Sequence, residues 1–325
     1  MNSPGSIFPI TTDFRSDKYL LIQSMLLKFL LLSLFTAHTA ANAQRQMEKL
    51  DRGVIAVRQA SDSVYVGWRM LGTEPEEITY NIYRQTGHGD LVKLNSKPIA
   101  NSTNYVDVTA RFEVANSYFI RAVLAGKEQE LSRGFTLVAH APVQQYLTIP
   151  LRAITGYTPN DAAVGDLDGD GAYELVLHQT GKSRDNASSG FTDPPIFQAY
   201  QLDGTFLWQI SLGKNIREGA HYTQFMVYDL DGDGIAEVAC KTADGTIDGI
   251  GKVIGDSTKD WRNKDGKILE GPEFLTIFNG KTGEALATTA YLPGRGNISG
   301  WGGSGGNGKN DHTGNRVDRF NACIA

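Results

Sequence analysis

Residues 164–176 read VGDLDGDGAYELV, and residues 227–239 read VYDLDGDGIAEVA. The two stretches are 63 residues apart, and each places three aspartates on alternate positions ahead of a glycine. Self-similarity at a fixed spacing is typical of proteins built from one structural unit used several times. We therefore expect two copies of one supersecondary unit in the second half of the chain.

Each acidic stretch is followed by a second element of similar design. Residues 199–208 and 276–286 both place an Asp-Gly or Asn-Gly pair between apolar segments. Such a pair between alternating segments is a strong signal for a β-hairpin. Each unit should then contain two strands joined by the acidic loop and two more in a hairpin. Four-stranded units repeated along a chain are typical of β-propeller blades.

A third unit starts near the end of the chain. Residues 319–325, RFNACIA, resemble the strand QFMV at residues 224–227 that leads into the second acidic stretch. Propellers close their ring with about four to eight blades. The sequence therefore predicts that residues 141–325 form an incomplete β-propeller domain and that the chain is truncated relative to a closed ring.

The preceding part of the chain has a different strand pattern. Apolar and polar residues alternate at residues 64–68, 80–84, 105–108 and 118–123, with β-branched and aromatic side chains on one face. Period-two alternation of this kind predicts half-buried strands. We expect residues 44–140 to form a β-sandwich similar to a fibronectin type III module, which makes the whole protein all-β.

The first residues resemble an export signal. Lys28 precedes the apolar run Phe29–Phe35, and small residues follow up to Ala41-Asn42-Ala43. A charged start, an apolar stretch and an A-x-A site predict a signal peptide within residues 1–43, behind an upstream extension. We expect export to the periplasm, the cell surface or the medium. The run is shorter than the roughly 20 residues that span a bilayer, so no membrane span is predicted.

The composition and net charge of the chain limit the classes of partner that it is expected to bind. The 325 residues are 41% hydrophobic and carry a net charge of −5, without a block of basic residues. The hydrophobic content allows a packed core, and the charge argues against a nucleic-acid partner. Two cysteines are too few for a disulfide framework.

The acidic stretches have the composition of calcium sites. Calcium prefers six to eight hard oxygen ligands, which closely spaced carboxylates and a carbonyl supply. An EF-hand is excluded because its twelfth position, normally Glu, is Leu177 in the first loop and Cys240 in the second. Zinc is not expected, since no His/Cys cluster has suitable spacing. The simpler alternative is a pair of metal-free surface turns. The candidate ligands are Asp166, Asp168, Asp170, Ala172 (through its carbonyl) and Glu174, then Asp229, Asp231, Asp233, Ile235 (through its carbonyl) and Glu237.

Longer motifs around these loops resemble a known family. Residues 160–165 (NDAAVG), 215–226 (NIREGAHYTQFM), 241–246 (KTADGT) and 314–320 (GNRVDRF) are similar to rhamnogalacturonan lyases of polysaccharide lyase family eleven. The resemblance implies an N-terminal β module followed by an eight-bladed propeller. It also implies an enzyme that cleaves the bond between rhamnose and galacturonate in the rhamnogalacturonan I backbone of pectin by β-elimination.

The resemblance also implies site residues. Asn160 matches a substrate-contacting Asn, and Asp161 is a candidate extra calcium ligand beside the first loop. Further candidates for substrate contact, each of which could instead pack or hydrogen-bond at a blade end, are Arg217, His221, Tyr222 and Lys241. Some relatives have Trp-Asp-Pro where this chain has Gln179-Thr180-Gly181, which removes one carboxylate. The general base is expected beyond residue 325, so this chain by itself is expected to be inactive.

The chemistry of β-elimination gives a reason for a bound metal ion in such an enzyme. The proton next to a uronate carboxylate is weakly acidic, and a bound cation stabilises the enolate that forms when a base removes it. Calcium would also allow an acidic protein to hold an acidic polymer. The alternative function is a non-catalytic, calcium-stabilised propeller that binds glycans or proteins, because a fold does not determine a function.

Overall fold

The computed structural model describes residues 49–185, 188–219, 223–296 and 322–323. These residues form eighteen β-strands and no helix, which confirms the prediction of an all-β protein. Both β regions described below belong to one compact unit, Met47–Ala325. The predicted signal peptide at residues 1–43 lies outside the described residues. Within the part of the chain that the structure describes, no helical segment has the length and apolar character needed to cross a bilayer.

The N-terminal β region, residues 49–141, consists of two sheets around one core. One sheet has the order β1-β2-β5 and the other β4-β3-β6-β7, with β8 also paired to β6. Its strands are β1 (Ile55–Ala60), β2 (Ser63–Gly67), β3 (Thr79–Thr86), β4 (Leu91–Lys93), β5 (Asn104–Asp107), β6 (Asn116–Leu124), β7 (Lys127–Leu131) and β8 (Phe135–Leu137).

The core of this region comes from alternate positions on both sheets. Val64 and Val66 of β2 are fully buried, as are Ile82 of β3 and Ile120 of β6. This is the outcome expected from the period-two patterns, because successive side chains of a strand point to opposite faces. All four belong to one hydrophobic cluster, so the two sheets pack face to face.

The repeat region, residues 142–296, contains the remaining ten strands. They are β9 (Thr158–Gly165), β10 (Glu174–Thr180), β11 (Ile196–Tyr200), β12 (Phe206–Ser211), β13 (Phe225–Tyr228), β14 (Glu237–Ala243), β15 (Thr246–Ile247), β16 (Val253–Ile254), β17 (Glu273–Phe278) and β18 (Ala285–Ala290). The acidic stretches connect β9 to β10 and β13 to β14. The predicted hairpins are β11–β12 and β17–β18, both antiparallel.

The two repeats form two sheets. The second repeat gives a four-stranded sheet, β13-β14-β17-β18, as predicted. The first repeat gives β9-β10-β11-β12, and this sheet then gains two short strands, β15 and β16, at the β12 edge. Those strands belong in sequence to the second repeat, and Ser211 pairs with Ile247 at the junction. The second repeat therefore extends the sheet of the first.

A second hydrophobic core lies between these two sheets. Phe197 of β11 and Phe225 of β13 have ring centroids 4.7 Å apart, and buried side chains of both sheets surround them. Trp208 of β12 is buried, and its indole N–H donates to the carbonyl of Gly280 in the β17–β18 turn at 2.6 Å. The first strands of the repeats, β9 and β13, lie beside each other. Packing of the repeats thus sets the two acidic loops at the same ends of neighbouring strands.

Candidate metal centres and a polar cleft

The first acidic loop, residues 166–174, is organised by one buried carboxylate. Asp166 accepts hydrogen bonds at Oδ1 from the N–H of Gly169 (2.8 Å) and of Asp170 (3.0 Å). Its Oδ2 accepts from the N–H of Gly171 at 2.7 Å. Glu174 closes the loop, since its Oε2 accepts from the N–H of Leu167 at 2.8 Å. The loop is therefore a compact turn wrapped around Asp166.

The second acidic loop, residues 229–237, repeats these contacts. Asp229 accepts at Oδ1 from the N–H of Gly232 (2.7 Å) and of Asp233 (3.1 Å), and at Oδ2 from that of Gly234 (3.0 Å). Glu237 accepts from the N–H of Leu230 at 2.8 Å. The spacing found in the sequence therefore folds into the same geometry twice.

Each loop gathers three carboxylates around one point. Asp166, Asp168 and Glu174 each offer an oxygen within 4.8 Å of the others. Asp229, Asp231 and Glu237 do the same in the second loop. The first aspartate and the glutamate of each trio are buried, whereas the middle aspartate is half-buried in the first loop and exposed in the second. Carboxylate oxygens at this spacing are the donors that calcium prefers, and the residues present fit that ion.

Several carboxylates of the two loops have raised pKa values. Burial, together with the charges of Asp168, Asp170 and Asp166, raises the pKa of Glu174 to about 7 against the lowering effect of the hydrogen bond from the Leu167 N–H. Burial likewise raises the pKa values of Asp166 and Glu237. Like charges in a shielded site oppose ionisation unless a cation compensates them. These shifts support the interpretation of both loops as cation sites.

The other predicted ligands are placed differently. Asp170 and Asp233 lie outside the two trios, and their Oδ1 atoms accept from the N–H of Ala172 and of Ile235, both at 2.8 Å. Coordination through the carbonyls of Ala172 and Ile235 stays a prediction. Asp161, a predicted extra calcium ligand of the first loop, lies outside the trio, and its role as a ligand there stays a prediction. Asp161 is exposed on β9, five residues before Asp166, which corresponds to roughly 16 Å along a strand.

Asp161 instead lines a polar cleft at the opposite ends of β9 and β10. The cleft has a volume of about 420 Å³ and also includes Asn160, His178, Glu218 and Thr223. Asn160 is exposed at its rim. The structure thus brings together the predicted residues Asn160 and Asp161, but away from the acidic loops. A volume of this size suits a small ligand or part of a chain.

A buried pair that was not predicted from the sequence lies at this cleft. Nε2 of His178 is 2.8 Å from Oε2 of Glu218, and both side chains are almost completely buried. A carboxylate removed from water needs such a partner. The available signal was a histidine inside the apolar strand LVLHQT of β10, a polar residue on a buried face.

Polar atoms without partners also surround the cleft. Nδ1 of His178, Oγ1 of Thr180 and Oγ1 of Thr223 are buried and have no hydrogen-bond partner among the described residues. Buried polar atoms in native proteins are normally satisfied by protein, water or ligand. Their concentration here indicates a hydrophilic occupant.

Arg217 was a candidate for substrate contact, with packing and hydrogen bonding as the alternative, and its described contacts are of the second kind. It is buried, and its Nη atoms donate to the main-chain carbonyls of Gly190 (3.0 Å), Asp185 (3.2 Å), Ser188 (2.8 Å) and Gly266. These bonds hold the loop that follows β10 against the segment before β17. The described hydrogen bonds of Arg217 therefore fix the positions of these two segments.

The remaining candidates are Lys241, His221 and Tyr222. Lys241 of β14 lines a separate cavity of about 320 Å³, and its Nζ lies 3.1 Å from Oε1 of Glu273. Oε1 of Glu273 also contacts Nη2 of Arg295 at 3.1 Å. His221 and Tyr222 lie outside the described residues.

These observations define an all-β protein that pairs a two-sheet N-terminal module with repeats carrying acidic cation-type loops. Residues 147–325 match the family described as rhamnogalacturonan lyase family 11, C-terminal domain, and residues 45–137 match the rhamnogalacturonan I lyase β-sheet domain. The chain belongs to rhamnogalacturonan lyase family 11, as its resemblance had indicated.

Individual relatives agree with this assignment. The chain is 50% identical over 297 residues to rhamnogalacturonan endolyase YesW of Bacillus subtilis (strain 168), covering 88% of this chain and 44% of the relative. It is 48% identical over 289 residues to the exolyase YesX of the same organism, covering 87% and 45%. A solved structure of the Bacillus licheniformis rhamnogalacturonan lyase PL11 superposes with a TM-score of 0.71 at 50% identity, covering 81% of this chain and 45% of that one. The chain thus spans less than half the length of these relatives.

Proposed function

We propose that the whole protein is a rhamnogalacturonan lyase, which cleaves the rhamnose–galacturonate backbone of pectin by β-elimination. The observation that carries this proposal is the 50% identity to an endolyase over 88% of the chain. An exolyase is nearly as similar, at 48%. The proposal therefore covers the activity that both names share, and it concerns the whole protein because the chain spans 44% and 45% of these relatives.

The polar cleft supports binding of a sugar chain. Its wall combines an exposed amide, Asn160, and a carboxylate, Asp161, with three buried polar atoms that have no partner among the described residues. Hydroxyl and carboxylate groups of a uronate polymer can satisfy such atoms, whereas an apolar ligand cannot. Rhamnogalacturonan I, an acidic plant cell-wall polysaccharide, fits these requirements.

We propose calcium as the ion of both acidic loops, where it stabilises the fold. The loops and the cleft lie at opposite ends of β9, and Asp161 of the cleft is roughly 16 Å along the strand from Asp166, so ions in the loops are remote from a ligand bound beside Asp161. Asp161 is suitably placed to help hold a separate cation near such a ligand. When bound to a uronate carboxylate, a divalent cation supplies Lewis-acid stabilisation of the enolate.

The remaining proposals concern architecture and export. The sheet orders support a fibronectin type III-like sandwich for the N-terminal β region and propeller blades for the two repeat sheets. Eight blades in the whole protein follow from the family resemblance. Export through a signal peptide at residues 1–43 follows from the charge and apolar pattern there.

The direct test uses the full-length protein with rhamnogalacturonan I and calcium. β-Elimination creates an unsaturated product, so ultraviolet absorbance should rise with time and stop on chelation. Polymer binding without any rise in absorbance would favour the alternative, a non-catalytic propeller that binds glycans. The 325-residue chain assayed alone tests the expectation that it is inactive, and turnover by that chain would contradict it.

The cleft is tested by a matched pair of variants. Asn160→Ala should raise KM for the polymer about tenfold, because a sugar contact of one or two hydrogen bonds is lost. Asn104→Ala is the control, since Asn104 is also an exposed strand asparagine but lies on β5 of the N-terminal β region. Equal kinetics in both variants would remove Asn160 from the proposed binding site.

A further inference from the structure

The first acidic loop is held from outside by the N-terminal β region. The N–H of Asp51 donates to the carbonyl of Gly171 at 2.8 Å. Nη2 of Arg69 approaches the same carbonyl at 3.4 Å, and Nη1 of Arg133 donates to the carbonyl of Asp170 at 2.7 Å. Two consecutive carbonyls of the loop are therefore bound by three residues of another part of the fold.

Side chains strengthen the same contact. The guanidinium of Arg133 forms an ion pair with the carboxylate of Asp170. The main-chain N–H of Arg133 donates to Oδ2 of Asp51 at 2.7 Å, and the guanidinium of Arg69 lies 4.2 Å from the ring centroid of Tyr173. The third aspartate of this loop, Asp170, thus contacts the N-terminal β region.

Among the described residues, the second acidic loop has no such neighbour at the equivalent position. A Cβ added to Gly171 would lie 3.0 Å from the nitrogen of Asp51, whereas one added to Gly234 would have no atom within 4 Å. Asp233, the counterpart of Asp170, is exposed. The two loops share their internal hydrogen bonds and differ in what surrounds them.

Gly171 connects the candidate ion site to this contact. Its N–H donates to Oδ2 of Asp166, a member of the carboxylate trio, and its carbonyl accepts from Asp51. Three carboxylates within 4.8 Å repel one another without a cation, which favours opening of the loop. Opening would move the Gly171 carbonyl away from Asp51. A cation that closes the loop therefore favours the docked arrangement.

We propose that cation binding in the first acidic loop is thermodynamically coupled to docking of the N-terminal β region, and that binding in the second loop is not. This inference rests on the proposed cation sites. Coupling of this kind is reciprocal, so docking also raises the affinity of the first loop for its ion. The two sites, similar in sequence, then have different roles: one joins two parts of the fold and the other stabilises its own turn.

Hydrogen exchange of single amides tests the coupling. The Asp51 amide reports docking, since it donates across the contact to Gly171. The Trp68 amide is the internal control, because it donates to Thr103 within the N-terminal β region at 3.0 Å. In the calcium-loaded protein, we expect Asp168→Asn to speed exchange at Asp51 about tenfold. Exchange at Trp68 should stay unchanged.

The matched variant is Asp231→Asn, which removes the equivalent ligand of the second loop. It should leave the Asp51 amide as protected as in the unaltered protein. Equal effects of the two variants, or none in either, would overturn the coupling. Chelation of the unaltered protein gives a second measurement independent of mutation: it must also speed exchange at Asp51, and unchanged protection would overturn the inference.

Calcium titration calorimetry separates this inference from the proposal on which it depends. If two calcium ions bind but exchange of the Asp51 amide does not change on chelation, the cation sites are supported and the coupling is refuted. Absence of calcium binding would refute the cation sites themselves, and the coupling with them. The expected result is two calcium sites in the unaltered protein and the loss of one site in each variant. Exchange of the Asp51 amide should become faster only in Asp168→Asn.

Discussion

The main-chain N–H of Ala236 donates a hydrogen bond of 2.7 Å to the carbonyl of Asp166. Asp166 organises the first acidic loop, and Ala236 lies between two predicted ligands of the second. The side chain of Ile235 also approaches Gly169, so that a Cβ there would lie 3.0 Å from its Cγ1. The two loops are therefore in direct contact through one main-chain hydrogen bond and one side chain.

Removal of calcium should destabilise the protein. Each occupied site stabilises the folded state by about 2.7 kcal/mol when free calcium is 100 times Kd. We expect a chelator to lower the melting temperature by several degrees, measured by scanning calorimetry. Asp166→Asn should lose part of this calcium response, whereas Asp90→Asn, at an exposed turn, should retain all of it. A melting temperature that does not respond to chelation would contradict the cation sites.

The two loop glycines should tolerate alanine unequally. Gly171 and Gly234 have φ values of 87° and 94°, so alanine meets the same left-handed strain of about 1–2 kcal/mol at each. Gly171→Ala should cost about 1 kcal/mol or more in addition, because its Cβ would meet Asp51. Denaturant unfolding of both variants measures the difference. Equal losses would show that the contact with Asp51 adjusts without cost.

Two buried tryptophans provide a test of the contact between the repeats. Trp208→Phe removes the hydrogen bond to Gly280 and should cost about 1–3 kcal/mol of unfolding free energy. Trp68 is also buried, but its indole N–H has no partner among the described residues. Trp68→Phe removes a similar volume without losing a bond, so its cost should be smaller. A larger loss in Trp68→Phe would contradict this account.

Acid stability should depend on Asp107. Burial would raise the pKa of this carboxyl, but hydrogen bonds from Thr109 and the charge of Arg84 outweigh it and lower the pKa below 3.8. A lowered folded-state pKa contributes stability above about pH 4, which is lost as the pH falls through the folded value. Asp107→Asn should therefore reduce stability at neutral pH and flatten its decline in acid. Chemical denaturation between pH 2 and pH 7 measures this profile.

The control for that profile is Asp62→Asn, at an exposed turn between β1 and β2. Its decline in acid should follow that of the unaltered protein. Parallel curves for Asp107→Asn and the unaltered protein would show that Asp107 does not determine the acid response.

Local patterns in the sequence were sufficient for much of the fold. Alternation predicted β2, β3, β5 and β6, and the repeat predicted both acidic loops and both hairpins. These features depend on residues close together in the chain, where period and turn chemistry decide the structure.

Long-range placements could not be predicted in the same way. The pairing of His178 with Glu218 joins residues 40 positions apart, and that of Arg133 with Asp170 joins residues 37 apart. Asp161, which the resemblance implied as an extra ligand of the first loop, lies on an extended strand, five residues and roughly 16 Å from Asp166 along that strand. Such contacts depend on how sheets pack, which no local pattern records.

The short strands β15 and β16 have a consequence for any attempt to divide the protein. They come from the second repeat and complete the β12 edge of the first sheet. A chain cut between the repeats would uncover that edge and leave backbone groups available to pair with other molecules. Shuffling these units as independent modules should therefore yield insoluble material unless the exchange boundary follows β16 rather than β12.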